Sequence, residues 1–551
     1  MKRYIIGLML ACCMNGYTQE KVQASFVPPF NFPLTFSGNF GELRSNHFHN
    51  GLDFKTGGTI GKPVRAIANG YISRIRVTNG SGYVLDVCYD NGYSSTNRHL
   101  NGFMPAVAAR VEELQYEKES WEVEIVPSPG EYPIKAGEQI AWSGNTGFSM
   151  GPHLHMEVYE TATGDFIDPI LFFKNSIRDT FAPTAQGVML FPQPGQGVVS
   201  GSERRKIISP NSTHPVEAWG VIGSSIKAYD YMNGIGNHYG VYSVSLSVDG
   251  KEVFSSKMDR FSQDETRTIN SWTYAGYMKS FIDPGNRLRA LKSFNDNRGL
   301  IDINEERDYL FSYTLQDAFG NTSRYKFTIR GKRQDIPPVQ HREKLLFEWN
   351  KTNYLQEPGM SLVVPRGMLY DDVPIYYNVK MDSNAIAFTY QLNNIMVPLH
   401  SGCELSIGLR KKPVEDSTKY YMAQVAANGR VISRLKGRYE NGFIKANIRE
   451  LGTYTLALDT VAPIISPVNS RVWGRNKRII FRFSDSGSGI RSYRGTIDGK
   501  FALFRQLNIT RPYWECDLDP KRVKRGTTHV VEMTVTDNCG NQSFRKETFI
   551  W

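Results

Sequence analysis

Two histidines one residue apart, His153 and His155, follow a glycine-rich turn and constrain the fold of the first part of this chain more than any other feature. Side chains alternate between the two faces of a β-strand, so a strand that begins here points both imidazoles in the same direction. Two adjacent imidazoles are costly to desolvate unless they share a metal ion, a carboxylate or a substrate. The pair alone is a weak indication, because two surface or hydrogen-bonded histidines give the same pattern.

Partners for this pair lie upstream in the sequence. His49 and Asp53 are four residues apart with a glycine between them, and such a segment can offer one nitrogen and one oxygen ligand. With one histidine of the pair they form two histidines and one carboxylate, the ligand set of a catalytic zinc site that leaves a fourth position for water. His99 and the remaining histidine are then available for the chemistry. The alternative is that all of these histidines are scattered surface residues.

These segments resemble the lysostaphin/LytM-type zinc endopeptidases, which cut peptidoglycan cross-links. The resemblance is carried by His49-Asn-Gly-Leu-Asp53, His99-Leu100 and Gly151-Pro-His153-Leu-His155. It covers residues 35–172, about a quarter of the chain. It implies that His49, Asp53 and His155 bind one Zn²⁺ per chain and that His99 and His153 are the catalytic histidines.

The resemblance also implies how the site works. Arg44, shortly before the first zinc ligand, is expected in the substrate wall. His47 could touch substrate as well, although a surface position is the simpler interpretation. A zinc-activated water would attack a peptide carbonyl, His99 and His153 would stabilise the oxyanion, and His153 is the preferred proton carrier. The chain has no His-Glu-x-x-His motif, so a glutamate base is not expected.

The first residues predict export. A short positive start precedes an apolar run over residues 4–13 that is too short to span a bilayer as a mature helix. This pattern indicates a secretory signal peptide over residues 1–18, with a lipid anchor as the lesser alternative. The mature chain is therefore predicted to lie in the periplasm, in the cell envelope or outside the cell, without a transmembrane helix.

The net charge and the cysteines indicate the surroundings in which the chain works. The formal net charge of +11 favours anionic surroundings such as cell-wall polymers or lipid head groups, or reflects a solvated basic surface, and no nucleic-acid-binding motif is present. Four cysteines remain after signal removal, and none has zinc-finger spacing. Cys88 is predicted to be a buried thiol. Cys516 and Cys539 could form a disulfide in an oxidising compartment.

Three landmarks recur in the same order in two later parts of the chain, which indicates a duplicated module. Alternating strands and Asp-Gly turns predict Ig-like or fibronectin-like β-sandwiches. The acidic turns of such modules can bind calcium, but they more often only form the turn. The landmarks are Asp179-Thr-Phe-Ala-Pro183 and Asp459-Thr-Val-Ala-Pro463, Tyr229-Asp230 and Ser484-Asp485, and Asp317-Ala-Phe-Gly-Asn321 and Asp537-Asn-Cys-Gly-Asn541.

The chain is therefore predicted to be mostly β. After the signal peptide we expect a small antiparallel β-sheet metallopeptidase domain at 19–177, with its core at 35–172. Two or three β-sandwiches are expected to follow, at 178–332, 336–458 and 459–551. After Leu100 and before the segment that begins at Ile134, residues 106–126 predict an inserted short helix and a strand.

The same motifs and resemblance predict the function. The chain is expected to be a secreted zinc-dependent metalloendopeptidase that hydrolyses peptidoglycan cross-links, with cell-envelope proteins as further partners of the sandwiches. One alternative is a non-catalytic binding or regulatory scaffold of the same family, although all five metal-binding and catalytic positions are filled. Another is general proteolysis of extracellular proteins, because the sequence does not identify the scissile bond.

Overall fold

The computed structural model describes residues 26–339 and 345–551, and the predicted signal peptide lies outside the described residues. Strand makes up 49% of the chain and helix 7%, which confirms the prediction of a mostly β protein. Within these described ranges, no helix is long and apolar enough to cross a membrane.

One antiparallel sheet carries the candidate site in the N-terminal region. Its order places the strand His153–Glu160 between two strands that are distant in sequence, Leu52–Lys55 and Tyr93–Leu100. In sheet order the strands are Phe36–Gly38, Leu52–Lys55, His153–Glu160, Tyr93–Leu100, Gly82–Tyr89, Gly70–Thr78 and Val123–Ile125. A second sheet consists of Pro63–Arg65, Gln139–Trp142 and Gly102–Phe103.

The inserted segment forms a helix, Pro105–Glu117, followed by the edge strand Val123–Ile125, as the sequence predicts. Proline suits the first helical turn because the amide hydrogen it lacks would have no partner there. Val107, Val111 and Leu114 follow the helical spacing and are buried. The insertion therefore packs one helical face on the sheet and leaves the other face for a neighbour.

A second large sheet follows the N-terminal region, and the two share one hydrophobic core. The strand Arg260–Phe261 pairs with Phe166–Ile167, and the Phe261 ring stacks on Phe40 with a centroid distance of 4.6 Å. The predicted boundary at residue 177 therefore separates two parts that pack together. In sheet order the strands are Lys206–Ile208, Thr184–Val199, Val216–Tyr231, Thr322–Gly331, Asp308–Gln316, Ser243–Val248, Lys251–Lys257 and Leu291–Ser293.

The middle region forms two five-stranded antiparallel sheets around one core. Leu405 from one sheet and Met422 from the other belong to this core, as expected for a sandwich. The first sheet contains Asn353–Glu357, Met360–Val364, Val397–Gly408, Phe443–Leu451 and Arg438–Glu440. The second contains Asn378–Lys380, Thr389–Gln391, Thr453–Leu458, Tyr420–Val425 and Val431–Leu435.

The last region has seven strands in sheets of three and four, again around one core. The three-stranded sheet contains Ile464–Pro467, Arg478–Ser484 and Tyr513–Asp517. The four-stranded sheet contains Lys500–Ala502, Ile490–Ile497, Thr528–Asp537 and Gln542–Ile550. Phe481 and Val535, one from each sheet, belong to the common core.

The Asp-Gly turns close hairpins in both repeated parts. Asp249 and Asp498 adopt left-handed backbone angles, with φ of 52° and 49°, as a two-residue hairpin turn requires. Their carboxylates are already engaged, Asp249 by Arg307 at 2.7 Å and Asp498 by His529 at 2.7 Å. The interpretation of these segments as turns is confirmed.

Cys516 and Cys539 do not form the disulfide that the sequence allowed. All four described cysteines are free. Cys516 lies in the core of the last region, whereas Cys539 packs against Tyr421 and Ala423 of the middle region. Cys88 is partly exposed, so the prediction of a buried thiol is also wrong there.

Reducing agents are therefore expected to leave the stability of the purified chain unchanged. The measurement is the thermal unfolding midpoint with and without dithiothreitol, together with thiol titration of the unreduced, denatured chain. A lower midpoint in reductant, or fewer titratable thiols than cysteines, would contradict the arrangement.

Candidate active site

The register of the central sheet assembles the site. His155 lies opposite Asp53 on one neighbouring strand and opposite Arg98 on the other. Because side chains alternate along a strand, His153, His155 and Glu157 project from the same face. His49 precedes the strand that carries Asp53 and reaches back to the same place.

Three ligand atoms converge at this face. Asp53 Oδ1 lies 3.1 Å from His49 Nε2 and 2.8 Å from His155 Nδ1, and the two nitrogens are 3.0 Å apart. His49 is 2% exposed, and Asp53 and His155 are each 7% exposed. Two imidazole nitrogens and one carboxylate oxygen in a buried cluster are the donor set that zinc prefers at a catalytic site.

The second ring nitrogen of each histidine has a hydrogen-bond partner that supports the assignment of a metal site. His49 Nδ1 lies 2.7 Å from the Asn39 carbonyl, and His155 Nε2 lies 3.1 Å from Glu157 Oε1. A ring nitrogen that donates to a carbonyl or carboxylate leaves the other nitrogen as the lone-pair donor, as in most metal-bound histidines. These residues therefore fit a metal ion.

Electrostatics around the cluster favour ionised carboxylates. Burial works against ionisation of Asp53, but His49 and His155 lower its pKa well below the usual value. Burial likewise opposes ionisation of Glu157, yet hydrogen bonds from His155 and Arg98 bring its pKa to about 2. Burial would lower the pKa of His155, but hydrogen bonds to Asp53 and Glu157 outweigh it and raise the pKa. A metal ion would take the place of the proton shared between His155 and Asp53.

His99 and His153 lie beside this cluster, with ring centroids 5.0 Å apart. His99 Nδ1 donates to the Thr146 carbonyl at 2.8 Å, and His153 Nδ1 donates to the Gly151 carbonyl at 2.8 Å. His153 Nε2 lies 3.6 Å from Asp53 Oδ1. Burial, with the neighbouring histidines, lowers the pKa of His99 to about 3, so the ring is neutral near pH 7.

The backbone of His99 is left-handed, with φ of 61°. This conformation is costly for a residue other than glycine, and such strain is concentrated at functional sites. The hydrogen bond to Thr146 fixes the ring in place. The loop that provides this carbonyl, Asn145–Met150, therefore controls the position of His99.

The two residues predicted for the substrate wall have different surroundings. Arg44 lines the cleft, and its Nη2 donates to Asp53 Oδ2 at 2.6 Å. His47 is exposed, hydrogen-bonds the Ser45 carbonyl at 2.9 Å, and is absent from the cleft lining. Arg44 thus holds the second oxygen of Asp53 while the first faces the histidines.

The cleft over the site has a volume of about 710 Å³. Its lining includes the charged residues Lys55, Arg44 and Glu42 and the apolar residues Phe148 and Met150. Phe148 is 68% exposed and Met150 is 89% exposed. The cleft thus combines an apolar rim with polar groups near the histidines, as expected for a site that takes a peptide.

The last region of the chain reaches this loop. Gly147 donates to the Leu507 carbonyl at 2.9 Å and accepts from the Ile509 amide at 3.1 Å. Asn508 Nδ2 donates to the carbonyls of Asn145 and Ser149 at 3.1 and 2.9 Å. Gly147 has φ of 74°, and a Cβ there would meet the Gly82 amide nitrogen at 2.4 Å, so the packing admits only glycine.

Sequence reasoning missed Glu157, Arg98 and Asn508. Glu157 follows His155 by two residues on the same strand face, so the alternation that paired the histidines could have found it. Arg98 pairs with Glu157 at 3.0 Å across two adjacent strands. For Asn508 the sequence carries no signal, because its partners are more than 350 residues away.

Curated relatives match this N-terminal part of the chain. The glycyl-glycine endopeptidase ALE-1 of Staphylococcus capitis is 31% identical over 152 residues, which cover 26% of this chain and 32% of that protein. Lysostaphin of Staphylococcus simulans is 30% identical over 149 residues, covering 26% of this chain and 24% of that protein. The N-terminal region is homologous to the lysostaphin/LytM-type peptidases. The predicted resemblance is confirmed.

The comparison with solved structures returned a match over a similar share of the chain. The catalytic domain of lysostaphin from Staphylococcus simulans is 26% identical, and the match covers 26% of this chain and 92% of that chain with a TM-score of 0.19. The chain spans about a third or less of the length of the two curated relatives. The relatives imply a metal, typically zinc, which agrees with the His-Asp-His cluster.

A separate family profile, that of the Zu5-like domain, matches residues 344–459. These residues correspond to the two five-stranded sheets of the middle region. The alternating strands predicted a sandwich there but gave no indication of this family.

Replacing Arg44 with methionine is expected to weaken zinc binding by about 10- to 100-fold, because partners that orient a metal ligand commonly contribute this much. Methionine keeps the volume but leaves Asp53 Oδ2 without its charged donor. The measurement is zinc affinity by competition with a chromogenic chelator, with Arg44→Lys as the conservative control. Unchanged affinity in Arg44→Met would show that the ion pair does not support the site.

Proposed function

We propose that this chain is a secreted zinc-dependent metalloendopeptidase that hydrolyses peptide cross-links of bacterial peptidoglycan. The observation that carries the proposal is the arrangement of five side chains at one cleft. His49, Asp53 and His155 converge as a metal-ligand set, and His99 and His153 lie next to them. The similarity to lysostaphin and to a glycyl-glycine endopeptidase supports the substrate class.

Bound zinc would supply Lewis-acid chemistry, since it polarises a peptide carbonyl and makes water more acidic. His99 and His153 supply the proton transfers. Each donates through Nδ1 to a main-chain carbonyl, so the neutral ring keeps a lone pair on Nε2. Such a ring first accepts a proton and can afterwards return it to a leaving amine or stabilise an oxyanion. The predicted oxyanion role therefore requires the protonated form.

The cleft also suggests how a peptide is held. Lys55 adds positive charge to the cleft lining, where Arg44 is paired with Asp53, and the exposed Phe148 and Met150 add apolar surface. Wall peptides carry carboxylates as well as alkyl side chains. The carboxylates would contact the positive charge of the cleft, and the alkyl side chains would contact its apolar surface. The net charge of +11 adds a general attraction to anionic wall polymers.

The test is digestion of purified peptidoglycan sacculi by the zinc-loaded chain, read by mass spectrometry, with casein as a general protein substrate. New free amino ends in cross-link peptides, without casein cleavage, would support the proposal and identify the bond. Cleavage of casein alone would favour general proteolysis. Bound zinc with intact sacculi and intact casein would favour the non-catalytic scaffold.

A further inference from the structure

Each of the duplicated modules brings three carboxylates together, two of them buried and one partly exposed. Asp179, Asp230 and Asp317 bring one oxygen each to within 4.8 Å of one another. Asp459, Asp485 and Asp537 do the same in the last region. Each aspartate of the first cluster corresponds to one of the second, because all six lie in the three landmarks that recur in the sequence. The same cluster therefore occurs in both modules.

Asp230 has a buried carboxylate oxygen that lacks a hydrogen-bond partner within the described residues, which indicates a missing ligand. It is 7% exposed, and its Oδ1 atom is buried without a hydrogen-bond partner among the described residues. Asp179 Oδ2 and Asp485 Oδ1 are likewise buried and unpartnered there. An unsatisfied buried carboxylate oxygen costs free energy unless a cation or donor reaches it.

The other carboxylates are held in place by the main chain. Asp317 Oδ1 accepts the amides of Phe319, Gly320 and Asn321 at 2.7–2.9 Å. Burial, together with the charges of Asp317 and Asp179, raises the pKa of Asp230 to about 8. The Asp317 carboxylate is therefore fixed close to Asp179 and Asp230, each of which has an oxygen without a hydrogen-bond donor within the described residues. A bound cation would remove the repulsion between these carboxylates.

We propose that Asp179, Asp230 and Asp317 form a calcium site, and that Asp459, Asp485 and Asp537 form its counterpart in the last region. A donor set made only of carboxylate oxygens suits a hard cation, and calcium accepts irregular geometry completed by water and carbonyl oxygens. These sites differ from the Asp-Gly turns, whose carboxylates already have protein partners.

The first site lies where it can hold two parts of the chain together. The segment after Asp230 touches the lysostaphin-like region at several points. Lys55 Nζ donates to Asn237 Oδ1 at 2.6 Å, and the Tyr239 hydroxyl donates to the Phe36 carbonyl at 2.9 Å. Since Lys55 lies on the strand of Asp53 and Phe36 lies on the strand paired with it, calcium would steady this segment against the sheet that carries the candidate active site.

The test is calcium binding to the zinc-loaded full chain, measured by isothermal titration and by radiolabelled calcium in equilibrium dialysis. We expect two bound calcium ions in the wild type, one in Asp230→Asn, one in Asp485→Asn and none in the double variant. Asp249→Asn, in an exposed turn, is the matched control and should keep two. A magnesium titration tests whether the preference is for calcium.

Thermal unfolding gives a second measurement that does not depend on stoichiometry. Calcium should raise the midpoint of the wild type by several degrees and leave the double variant unchanged. Without calcium, Asp230→Asn should be at least as stable as the wild type, because it removes an acid whose ionised form the neighbouring carboxylates repel, and Asp230 Oδ1 accepts no hydrogen bond within the described residues. Equal calcium binding by wild type and double variant, or no binding by either, would overturn the proposal.

A second inference concerns the contact between the last region and the candidate site, and it rests on the proposed function. We infer that Leu507–Ile509 is a positioning element for the loop Asn145–Met150. That loop holds His99 through the Thr146 carbonyl and reaches His153 through Ser149 Oγ, 3.2 Å from Nδ1. Four hydrogen bonds join the two segments, two of them from Asn508 Nδ2.

Further contacts keep the last region in this place. Arg522 lies over the Tyr116 ring, 3.4 Å from its centroid, and pairs with Glu112 at 3.1 Å. Arg494 pairs with Glu119 at 2.6 Å. All three partners belong to the inserted segment after His99, so the insertion provides the docking surface for the last region. Loss of Asn508 alone should therefore free the loop without releasing the whole region.

The test combines hydrogen exchange with kinetics in Asn508→Ala and Asn508→Asp. The aspartate keeps the shape but replaces the donating amide nitrogen by an oxygen that faces two carbonyl oxygens, so both variants should lose the two hydrogen bonds. We expect at least 10-fold faster exchange over residues 145–150 and a kcat lower by about 10- to 100-fold, with zinc retained, because small displacements of catalytic groups have such effects. Arg511→Ala, at an exposed neighbouring position, is the control.

Unchanged exchange in both Asn508 variants would overturn the positioning role. An equal loss of kcat in Arg511→Ala would overturn it too. If the wild type hydrolyses no wall peptide, the proposed function fails, whereas the exchange result still decides whether Asn508 holds the loop.

Discussion

Replacing His155 with alanine is expected to abolish zinc binding and, with it, hydrolysis of wall peptides. The variant removes one of three converging ligand atoms and leaves Asp53 and Glu157 without the imidazole between them. Removing a direct ligand should exceed the roughly 10- to 100-fold effect of its supporting partners. Metal analysis of the purified chain and release of amino ends from sacculi give the two readouts.

The control for this variant is His214→Ala, which changes an exposed histidine beside Thr213. It should keep one zinc ion per chain and full activity. Full zinc content in His155→Ala would show that the metal is held elsewhere. Lost zinc with retained hydrolysis would show that the reaction does not depend on this cluster.

Replacing His99 with alanine is expected to leave zinc in place and to slow hydrolysis by about 100- to 10,000-fold, the usual contribution of a positioned acid or base. The His99 ring approaches the cluster, with a centroid distance of 6.0 Å to His155, but none of its atoms belongs to the converging set. His99→Ala should therefore keep its zinc while its kcat falls, whereas His155→Ala should lose both zinc and activity.

His47→Ala is the matched control, because His47 is close in sequence to the first ligand yet exposed and away from the cleft lining. Its activity should stay within about 2-fold of the wild type, as for most surface substitutions. A large loss in His47→Ala would restore the prediction that it contacts substrate. Loss of zinc in His99→Ala would move His99 into the metal site.

Local sequence patterns predicted which side chains lie together at the candidate site. The alternation of a strand is enough to place His153 and His155 on one face, and the spacing of His49 and Asp53 is enough to make them neighbours. The mostly β fold followed from the same periodicity and from turn residues. These features depend on a few adjacent residues, so the chain encodes them directly.

The partners of those residues could not be predicted in the same way. Arg44 was expected in the substrate wall, but its ion pair with Asp53 was not predicted, because it depends on how the short hairpin at residues 43–48 lies against the sheet. Cys516 and Cys539 lie in one module by sequence, yet they pack into different cores. A local pattern determines which way a side chain points and does not determine what lies opposite it.

The sequence by itself determined a mostly β chain with a lysostaphin-like region and its His-Asp-His cluster. Only the tertiary structure decided that two carboxylate triads form at the repeated landmarks. It also decided that Asn508 reaches a loop 363 residues earlier in the chain. The physical reason is that such contacts depend on how whole sheets pack, and packing joins surfaces whose residues are far apart in sequence and share no local pattern.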